Sequence, residues 1–228
     1  MEIDKGKNLN NLLKGYNMLL YFAGSMIMYE PTEECVVDFW KNGILKRLPV
    51  SSANPRFLKA ILQLRDSCLD EGTCLSILRE DYKRLFTVPG LALAPPFEST
   101  YLNYSGIPGN DFVGIREFYE SYGWVSKYRG KIPDDHLGVE LLFLTRLVEK
   151  FITLDDNACR GEMGNEIIRF VEQHLLSWIP EWNVQIQESA GTFGYKGIGT
   201  LIFACVEDIK SLLESERTRD FSENVLRN

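Results

Sequence analysis

Histidine, paired cysteines and excess positive charge are all scarce in this sequence. Only two histidines, His136 and His174, occur in 228 residues, which excludes a metal site built from three histidines. The five cysteines include no CxxC pair, so zinc-ribbon and thioredoxin patterns are absent, and we expect five reduced, buried thiols. The net charge of −7 argues against binding nucleic acid through bulk charge, because phosphate neutralisation needs a basic face.

Long hydrophobic runs are also lacking. The longest uncharged segment, Gly15–Tyr29, is shorter than the roughly 20 apolar residues that a membrane-spanning helix needs. The acidic residues Glu2 and Asp4 lie where a secretory signal carries positive charge. We therefore interpret this segment as part of an amphipathic core helix and expect a cytoplasmic protein that is not exported.

Helical periodicity dominates the rest of the chain, and no alternating pattern of useful length predicts a strand. We expect an all-α bundle of about nine helices in a single domain spanning residues 1–228, and a division into two subdomains near residues 87–133 stays open. The stretch 87–110 contains four prolines, and a loop of this length is usually functional or connecting. A nearly all-apolar helix is predicted over 134–152, which indicates burial, and a last helix over 195–214, with a fraying polar tail.

Acidic residues and a histidine open the predicted buried helix. The sequence Pro133-Asp134-Asp135-His136 is typical of a helix start, with Asp134 as the capping residue. Glu140 follows His136 by four residues and shares its helix face. Two interpretations are open: a well-made helix start, or a polar cluster whose carboxylates receive arginine or lysine.

Aromatic and proline residues gather just before this region. A helix is predicted from Cys74 to about Phe86, and its C-terminus and the long loop carry this patch, which comprises Tyr82, Leu85, Phe86, Pro95, Pro96, Glu98, Ser99 and Tyr101. The segment either packs as a helix end against its own loop or forms an apolar groove for a peptide.

The glycine-rich segment Gly191–Gly199 superficially resembles a phosphate-binding loop. Its lysine, Lys196, precedes the glycine instead of following it, and no predicted strand leads into the segment. Glycines in this pattern more often permit close helix packing.

Five motifs occur in the same order as in a known family. They are Tyr82-x-x-Leu85-Phe86 with Pro89-Gly90, Pro95-Pro96-x-Glu98-Ser99-x-Tyr101, Arg116-Glu117-Phe118-Tyr119, the run from Pro133 to Leu141, and His174-Leu175-x-x-Trp178-x-Pro180-x-Trp182. Each motif alone is weak, but the ordered set resembles the TorD/DmsD/NarJ family of cytoplasmic chaperones for molybdenum redox enzymes. Ile132 departs from the pattern, because this place is often acidic in relatives.

The resemblance implies an all-helical protein without catalytic activity, cofactor or metal. It implies binding of the twin-arginine leader of a molybdopterin redox enzyme's catalytic subunit, which delays export until the cofactor is inserted. Carboxylates beside an apolar groove suit a leader in which an apolar stretch follows two arginines. The expected peptide-binding residues are Tyr82, Leu85, Phe86, Pro95, Pro96, Glu98, Ser99, Tyr101, Asp134, Asp135, His136 and Glu140.

Two other functions stay open on the sequence. One is a nucleotide-dependent enzyme that uses Gly191–Gly199, and the other is a general helical adaptor for an unrelated partner. The client enzyme is not identified, and the protein is expected to be a monomer or a domain-swapped dimer.

Overall fold

The computed structural model describes residues 2–41, 45, 47–67, 71–87, 91–102 and 113–227. It describes the backbone alone at residues 2–7, 35, 38, 41, 71, 72, 113 and 220–227. Ten α-helical segments lie in these ranges: α1 (Glu2–Met28), α2 (Glu33–Val36), α3 (Pro55–Arg65), α4 (Glu71–Tyr82), α5 (Glu98–Tyr101), α6 (Val113–Ser121), α7 (Leu137–Thr153), α8 (Asn157–Phe170), α9 (Ile179–Ser189) and α10 (Phe193–Arg227). Three π-helical stretches, Val37–Lys41, Lys83–Thr87 and Val171–Leu175, directly continue α2, α4 and α8.

The predicted all-α class is confirmed. Within the described ranges, extended backbone pairs only in one isolated antiparallel bridge, between Phe97 and His136. None of the helices formed by these residues has a stretch long and apolar enough to cross a lipid bilayer. The single-domain expectation, and the division near 87–133, stay predictions.

Helix α7 is buried on most of its faces, as its apolar sequence predicts. Eleven of its 17 residues are buried, among them Val139, Leu144 and Val148. Helix α1 packs along both α7 and α10, while α3 and α9 pack on α10. The core therefore forms between these long helices, and the N-terminal end of α7 meets the shorter elements around α5 and α6.

Several predicted helix boundaries differ from the observed ones. Helix α7 begins at Leu137, with His136 rather than Asp134 as its cap, and α8 begins at Asn157, capped by Asp156. Helix α10 continues to Arg227 instead of ending near Glu214. The predicted long loop contains the helical turn α5, while Pro89-Gly90, residues 103–110 and the predicted helix start at Asp111 lie outside the described residues.

The cysteine expectation is wrong at two positions, because Cys74 is not a reduced thiol and Cys159 is not buried. Cys74 is disulfide-bonded, whereas Cys159 is an exposed free thiol and Cys205 a buried one. Burial raises the pKa of the Cys205 thiol well above its ordinary value, so this sulfur stays protonated.

Candidate peptide-binding site

The segment Leu91–Phe97 connects the two groups of residues that the sequence singled out. On one side its backbone is bonded to the π-helical end of α4. The Leu93 N–H donates to the Arg84 carbonyl at 3.2 Å, and the Ala94 N–H donates to the Leu85 carbonyl at 3.0 Å. These bonds hold the segment beside the aromatic residues that end α4.

On the other side, the same segment is bonded to the entrance of α7. The Leu137 N–H donates to the Pro96 carbonyl at 2.9 Å, and the Glu98 N–H donates to the Asp135 carbonyl at 3.0 Å. Ala94 and Pro96 are two residues apart, so about 7 Å of chain joins the α4 side to the α7 side. The structure thus brings both predicted groups to one connecting segment.

Asp135 lies at the centre of this junction and is 1% exposed. Its Oδ2 accepts two hydrogen bonds from Ser99, at 3.2 Å from the backbone N–H and 2.8 Å from the hydroxyl. Its Oδ1 is buried, and no donor among the described residues reaches it. Burial raises the pKa of Asp135 to about 6; the Ser99 hydrogen bonds oppose this rise and the charge of Glu98 adds to it.

Asp134 has a different role from its neighbour. Its carboxylate accepts a hydrogen bond from Arg116 Nε at 2.8 Å, and its backbone carbonyl accepts one from the Tyr119 hydroxyl at 3.0 Å. Asp134 is 8% exposed, while the Arg116 side chain is half exposed. This pair ties α6 to the entrance of α7, so Asp134 already has its cation.

His136 caps α7 through its ring. Nδ1 accepts a hydrogen bond from the Gly138 N–H at 3.0 Å, which requires an unprotonated Nδ1. The ring of Phe97 contacts the imidazole edge-on, with centroids 5.2 Å apart. Burial lowers the pKa of His136 to about 4, so the ring is neutral near pH 7.

Glu140, one turn into α7, is fully buried. No described residue reaches either of its carboxyl oxygens with hydrogen-bond geometry, and the neighbouring Trp178 indole, whose N–H donates to the His174 carbonyl, only opposes the rise in its pKa. Burial raises the pKa of Glu140 well above its ordinary value, and the charges of Glu98 and Asp135 raise it further, which favours the neutral acid. The nearby Glu98 carboxylate lies 3.2 Å from Nδ1 of His174.

Aromatic side chains surround this acidic group. Tyr101 stacks on Trp178, with centroids 5.4 Å apart, and its hydroxyl donates to Gln185 Oε1 at 2.7 Å. Trp182 donates its indole N–H to the Ala94 carbonyl at 3.3 Å. Helix α9 therefore forms the apolar support beneath the Leu91–Phe97 segment.

The remaining predicted aromatics lie on the far side of that segment. Phe86 contacts Tyr82 and Tyr195 edge-on, with centroids 5.5 and 5.4 Å apart. Tyr82 and Leu85 are buried, while Phe86 is partly exposed. Their described contacts are those of a helix end packed against its neighbours.

The acidic side chains do not line an open recess. Glu98, Asp134, Asp135, His136 and Glu140 are each at most 8% exposed, whereas Ser99 is exposed. The sequence predicted these carboxylates beside an apolar groove, but the structure places them beneath α5 and the segment before it. Among the described side chains, no group of three or more His, Cys, Asp or Glu residues is placed to hold a metal ion.

Three contributors to this junction were absent from the predicted list: Arg116, His174 and Trp178. Arg116 neutralises Asp134, His174 faces Glu98, and Trp178 supports Tyr101. All three lie within the motifs that carry the family resemblance, so the motifs were the signal that could have identified them.

The glycine-rich segment forms the start of α10 and is occupied by a protein carboxylate. Asp81, 3% exposed, accepts the N–H groups of Gly191 and Thr192 at 3.0 and 2.9 Å, and the Thr192 hydroxyl at 2.7 Å. These are the donors that a phosphate would need at a helix N-terminus. The nucleotide-binding alternative is therefore not favoured.

Comparison with known proteins now decides the family. A family model described as nitrate reductase delta subunit matches residues 52–183, a range that includes all twelve predicted peptide-binding residues. The chain belongs to this family. The resemblance to TorD, DmsD and NarJ proteins is thereby confirmed.

Individual relatives in the nitrate reductase delta subunit family agree with this assignment. A chaperone protein TorD of Vibrio atlanticus is 29% identical over 135 residues, or 56% of this chain and 60% of the relative. A probable Tat proofreading chaperone DmsD of Haemophilus influenzae is 21% identical over 85% of this chain and 89% of the relative. A chaperone protein TorD of Photobacterium profundum is 28% identical over 87% of this chain and 94% of the relative. The chain spans about 60% of the length of the Vibrio atlanticus relative.

Proposed function

We propose that this protein is a non-enzymatic chaperone that binds the twin-arginine leader of a molybdopterin oxidoreductase's catalytic subunit. It holds the subunit in the cytoplasm while the cofactor is inserted. Family membership supports the proposal, as do relatives named TorD and DmsD chaperones. Membership also makes an unrelated helical adaptor the weaker alternative.

The observation that carries the proposal is the group of carboxyl oxygens at the α7 entrance that lack donors. Asp135 Oδ1 and both oxygens of Glu140 are buried without a hydrogen bond from the described residues. Buried acceptors of this kind cost free energy unless a donor arrives. A guanidinium supplies five N–H donors and a positive charge, and it pairs with a carboxylate in a two-pronged geometry.

Access to Asp135 requires a movement of the residues that cover it. Because Asp135 is 1% exposed, an arginine reaches it only if α5 and Ser99 move aside. The covering element is a four-residue helix, and the backbone from Pro96 to Glu98, which leads into it, is bonded to residues 135–137 at two points. The apolar part of the leader then contacts the partly exposed Phe86 and Pro95 beside this segment.

The pKa of Asp135 provides a specific test. Binding an arginine favours the ionised carboxylate, so leader affinity rises as pH increases through about 6. The fraction of protein molecules in which Asp135 is ionised changes from about a tenth at pH 5 to about nine tenths at pH 7. This change predicts about tenfold tighter leader binding at pH 7. Calorimetry at pH 6 in two buffers of different ionisation enthalpy is expected to show release of about half a proton per complex.

Matched variants test the assignment of Asp135 to the binding site separately from the leader-binding function. Asp135→Asn is expected to weaken leader binding and abolish both the pH dependence and the proton release. Glu172→Gln removes the same charge from an exposed residue that pairs with Lys210, and is expected to bind as the wild type does. A leader with two lysines in place of the arginines is expected to bind more weakly. Binding that is unchanged in Asp135→Asn rejects the site, while no binding of any leader rejects the function.

A further inference from the structure

A recess lies on the surface between α1 and α7, and it is not part of the candidate site. It has a volume of about 930 Å³, and its lining contains none of the twelve predicted peptide-binding residues. We name it the α1–α7 groove. It is lined by residues of α1 between Lys14 and Tyr21, by residues of α7 between Phe143 and Thr153, and by residues 122–124.

The dimensions of the α1–α7 groove suit a short peptide. Seven residues of α1 separate the ends of its lining and ten residues of α7 do so, which correspond to about 10 and 15 Å of helix. A length of 15 Å accommodates roughly four or five residues of extended chain. The groove is open to solvent, as a peptide entering from the side requires.

Apolar side chains line its floor and are unusually exposed for their type. Met18 is 45% exposed and Tyr21 is 60% exposed, one helical turn apart on α1. Trp124 is partly exposed and packs on Phe143 with centroids 5.2 Å apart. Two aromatic rings and a methionine beside a recess are typical anchor sites for an aromatic or long aliphatic side chain.

The charge of the groove opposes the charge of the chain. Lys14, Arg146 and Lys150 line it with a single acid, Glu149, which pairs with Arg146 at 3.0 Å. The groove is thus net positive in a protein whose net charge is −7. At the nearby Tyr122 hydroxyl, Glu166 is present but already paired with Arg169. A cationic leader is unsuited to this surface, whereas an anionic segment complements it.

A buried acceptor lies among the lining residues as well. Asn17 donates its side-chain N–H to the Thr145 carbonyl at 3.0 Å, while its amide oxygen has no donor in the described part of the chain. An extended peptide presents backbone N–H groups that such an acceptor can receive after a small side-chain adjustment.

From these observations we propose that the α1–α7 groove binds an acidic peptide segment anchored by an aromatic or long aliphatic side chain. Carboxylates of the segment pair with Lys14, Arg146 and Lys150, and its anchor packs on Met18, Tyr21 and Trp124. The proposal does not depend on leader binding, because the two sites share no residue and prefer opposite charges.

Selection of random dodecapeptides displayed on phage against the full-length protein tests the proposal. The enriched peptides are expected to be acidic and to contain an aromatic or long aliphatic residue. A labelled synthetic copy of one of them is expected to bind at least about tenfold more weakly to Arg146→Glu/Lys150→Glu. The matched control Lys59→Glu/Arg65→Glu carries the same change of charge on exposed positions of α3, and is expected to leave binding unchanged.

Tyr21→Ala removes the anchor contact without changing charge, and is also expected to weaken the peptide. The Tyr21→Ala variant still tests the proposal if the Arg146→Glu/Lys150→Glu variant does not fold. The proposal is overturned if no peptide or only basic peptides are enriched, or if their binding survives both variants. It is also overturned if Arg146→Glu/Lys150→Glu converts an oligomer to a monomer on size exclusion, because the occupant is then a second copy of the chain. A leader peptide is expected not to displace the acidic peptide.

Discussion

Ser99 donates both its backbone N–H and its hydroxyl to one oxygen of Asp135, at 3.2 and 2.8 Å. These two hydrogen bonds to a single acceptor attach the first turn of α5 to the entrance of α7. It also lowers the free-energy cost of keeping the Asp135 charge in a buried place. Ser99 therefore holds the covering segment in place and also lowers the pKa of Asp135 beneath it.

Ser99→Ala is expected to loosen this attachment. Loss of the hydroxyl removes one hydrogen bond to a carboxylate, which costs about 1–2 kcal/mol of unfolding free energy. The pKa of Asp135 is expected to rise further above 6, since one of the bonds that oppose the rise is gone. Hydrogen exchange should accelerate at Phe97–Leu102. Ser177→Ala, which removes an exposed hydroxyl bonded to the Gln173 carbonyl four residues earlier, is the control, and equal exchange in both variants would contradict the assignment.

Asp135→Asn is expected to stabilise the protein at neutral pH. The folded-state pKa of Asp135, about 6, exceeds its ordinary value of 3.8, so ionisation favours the unfolded chain and stability falls as pH rises through this window. The neutral amide avoids this loss, which amounts to about 2–3 kcal/mol above pH 7. Urea unfolding across pH 4–8 should show the variant more stable at pH 8, with the gap closing towards pH 4.

The neighbouring Asp134→Asn provides the contrast. This change removes a charged partner from Arg116, so a loss of about 1 kcal/mol is expected at neutral pH. If both variants change stability in the same direction, the different roles assigned to the two aspartates are wrong. A gain in stability together with weaker leader binding in Asp135→Asn is the combination expected of a residue retained for function.

His136→Asn is expected to remove a stability loss at acid pH. The pKa of His136 is lowered to about 4 in the folded protein from an ordinary 6.5, so the unfolded chain binds the proton first. The contribution of neutral His136 to the free energy of unfolding is fully present above pH 6.5 and decreases as pH falls towards 4. Asparagine is a good helix cap that does not titrate. The wild type should lose up to about 3 kcal/mol relative to the variant between pH 7 and 4, and parallel pH profiles of urea unfolding would refute this.

Gly197→Ala is expected to destabilise α10 packing. A Cβ at Gly197 meets Leu64 Cγ at 2.6 Å and the Leu64 backbone nitrogen at 3.0 Å, so α3 must move. The cost of such overpacking is about 1–3 kcal/mol. Gly161→Ala in α8 is the matched control, because nothing lies within 4 Å of its Cβ and the better helix propensity is expected to stabilise slightly. Thermal unfolding of the two variants should shift in opposite directions.

Much of the fold could be predicted from local pattern. The apolar run of α7 correctly predicted a buried helix, and its predicted end at residue 152 lies one residue from the observed end at Thr153. The capping residue of α7 is an exception, because two neighbouring residues can cap this helix. His136 caps α7 although Asp134 is the stronger capping residue by type, because the Asp134 carboxylate is held by Arg116 on α6.

The candidate site was less predictable than the fold. The cluster of Asp135, His136 and Glu140 follows from spacing along one helix start, and their proximity was foreseen. Their burial was not, because it depends on α5 and Trp178, which come from distant parts of the chain. The α1–α7 groove joins residues more than a hundred positions apart and left no sequence motif.

Helical periodicity, which acts over three or four residues, was sufficient to establish an all-α protein and to order the motifs that match its family. Contacts between distant segments decided which carboxylates are paired, which lack donors, and that Asp81 rather than a phosphate occupies the start of α10. The physical reason is that a helix pattern is enforced by neighbouring residues, whereas burial and electrostatic pairing depend on which surfaces tertiary packing brings together.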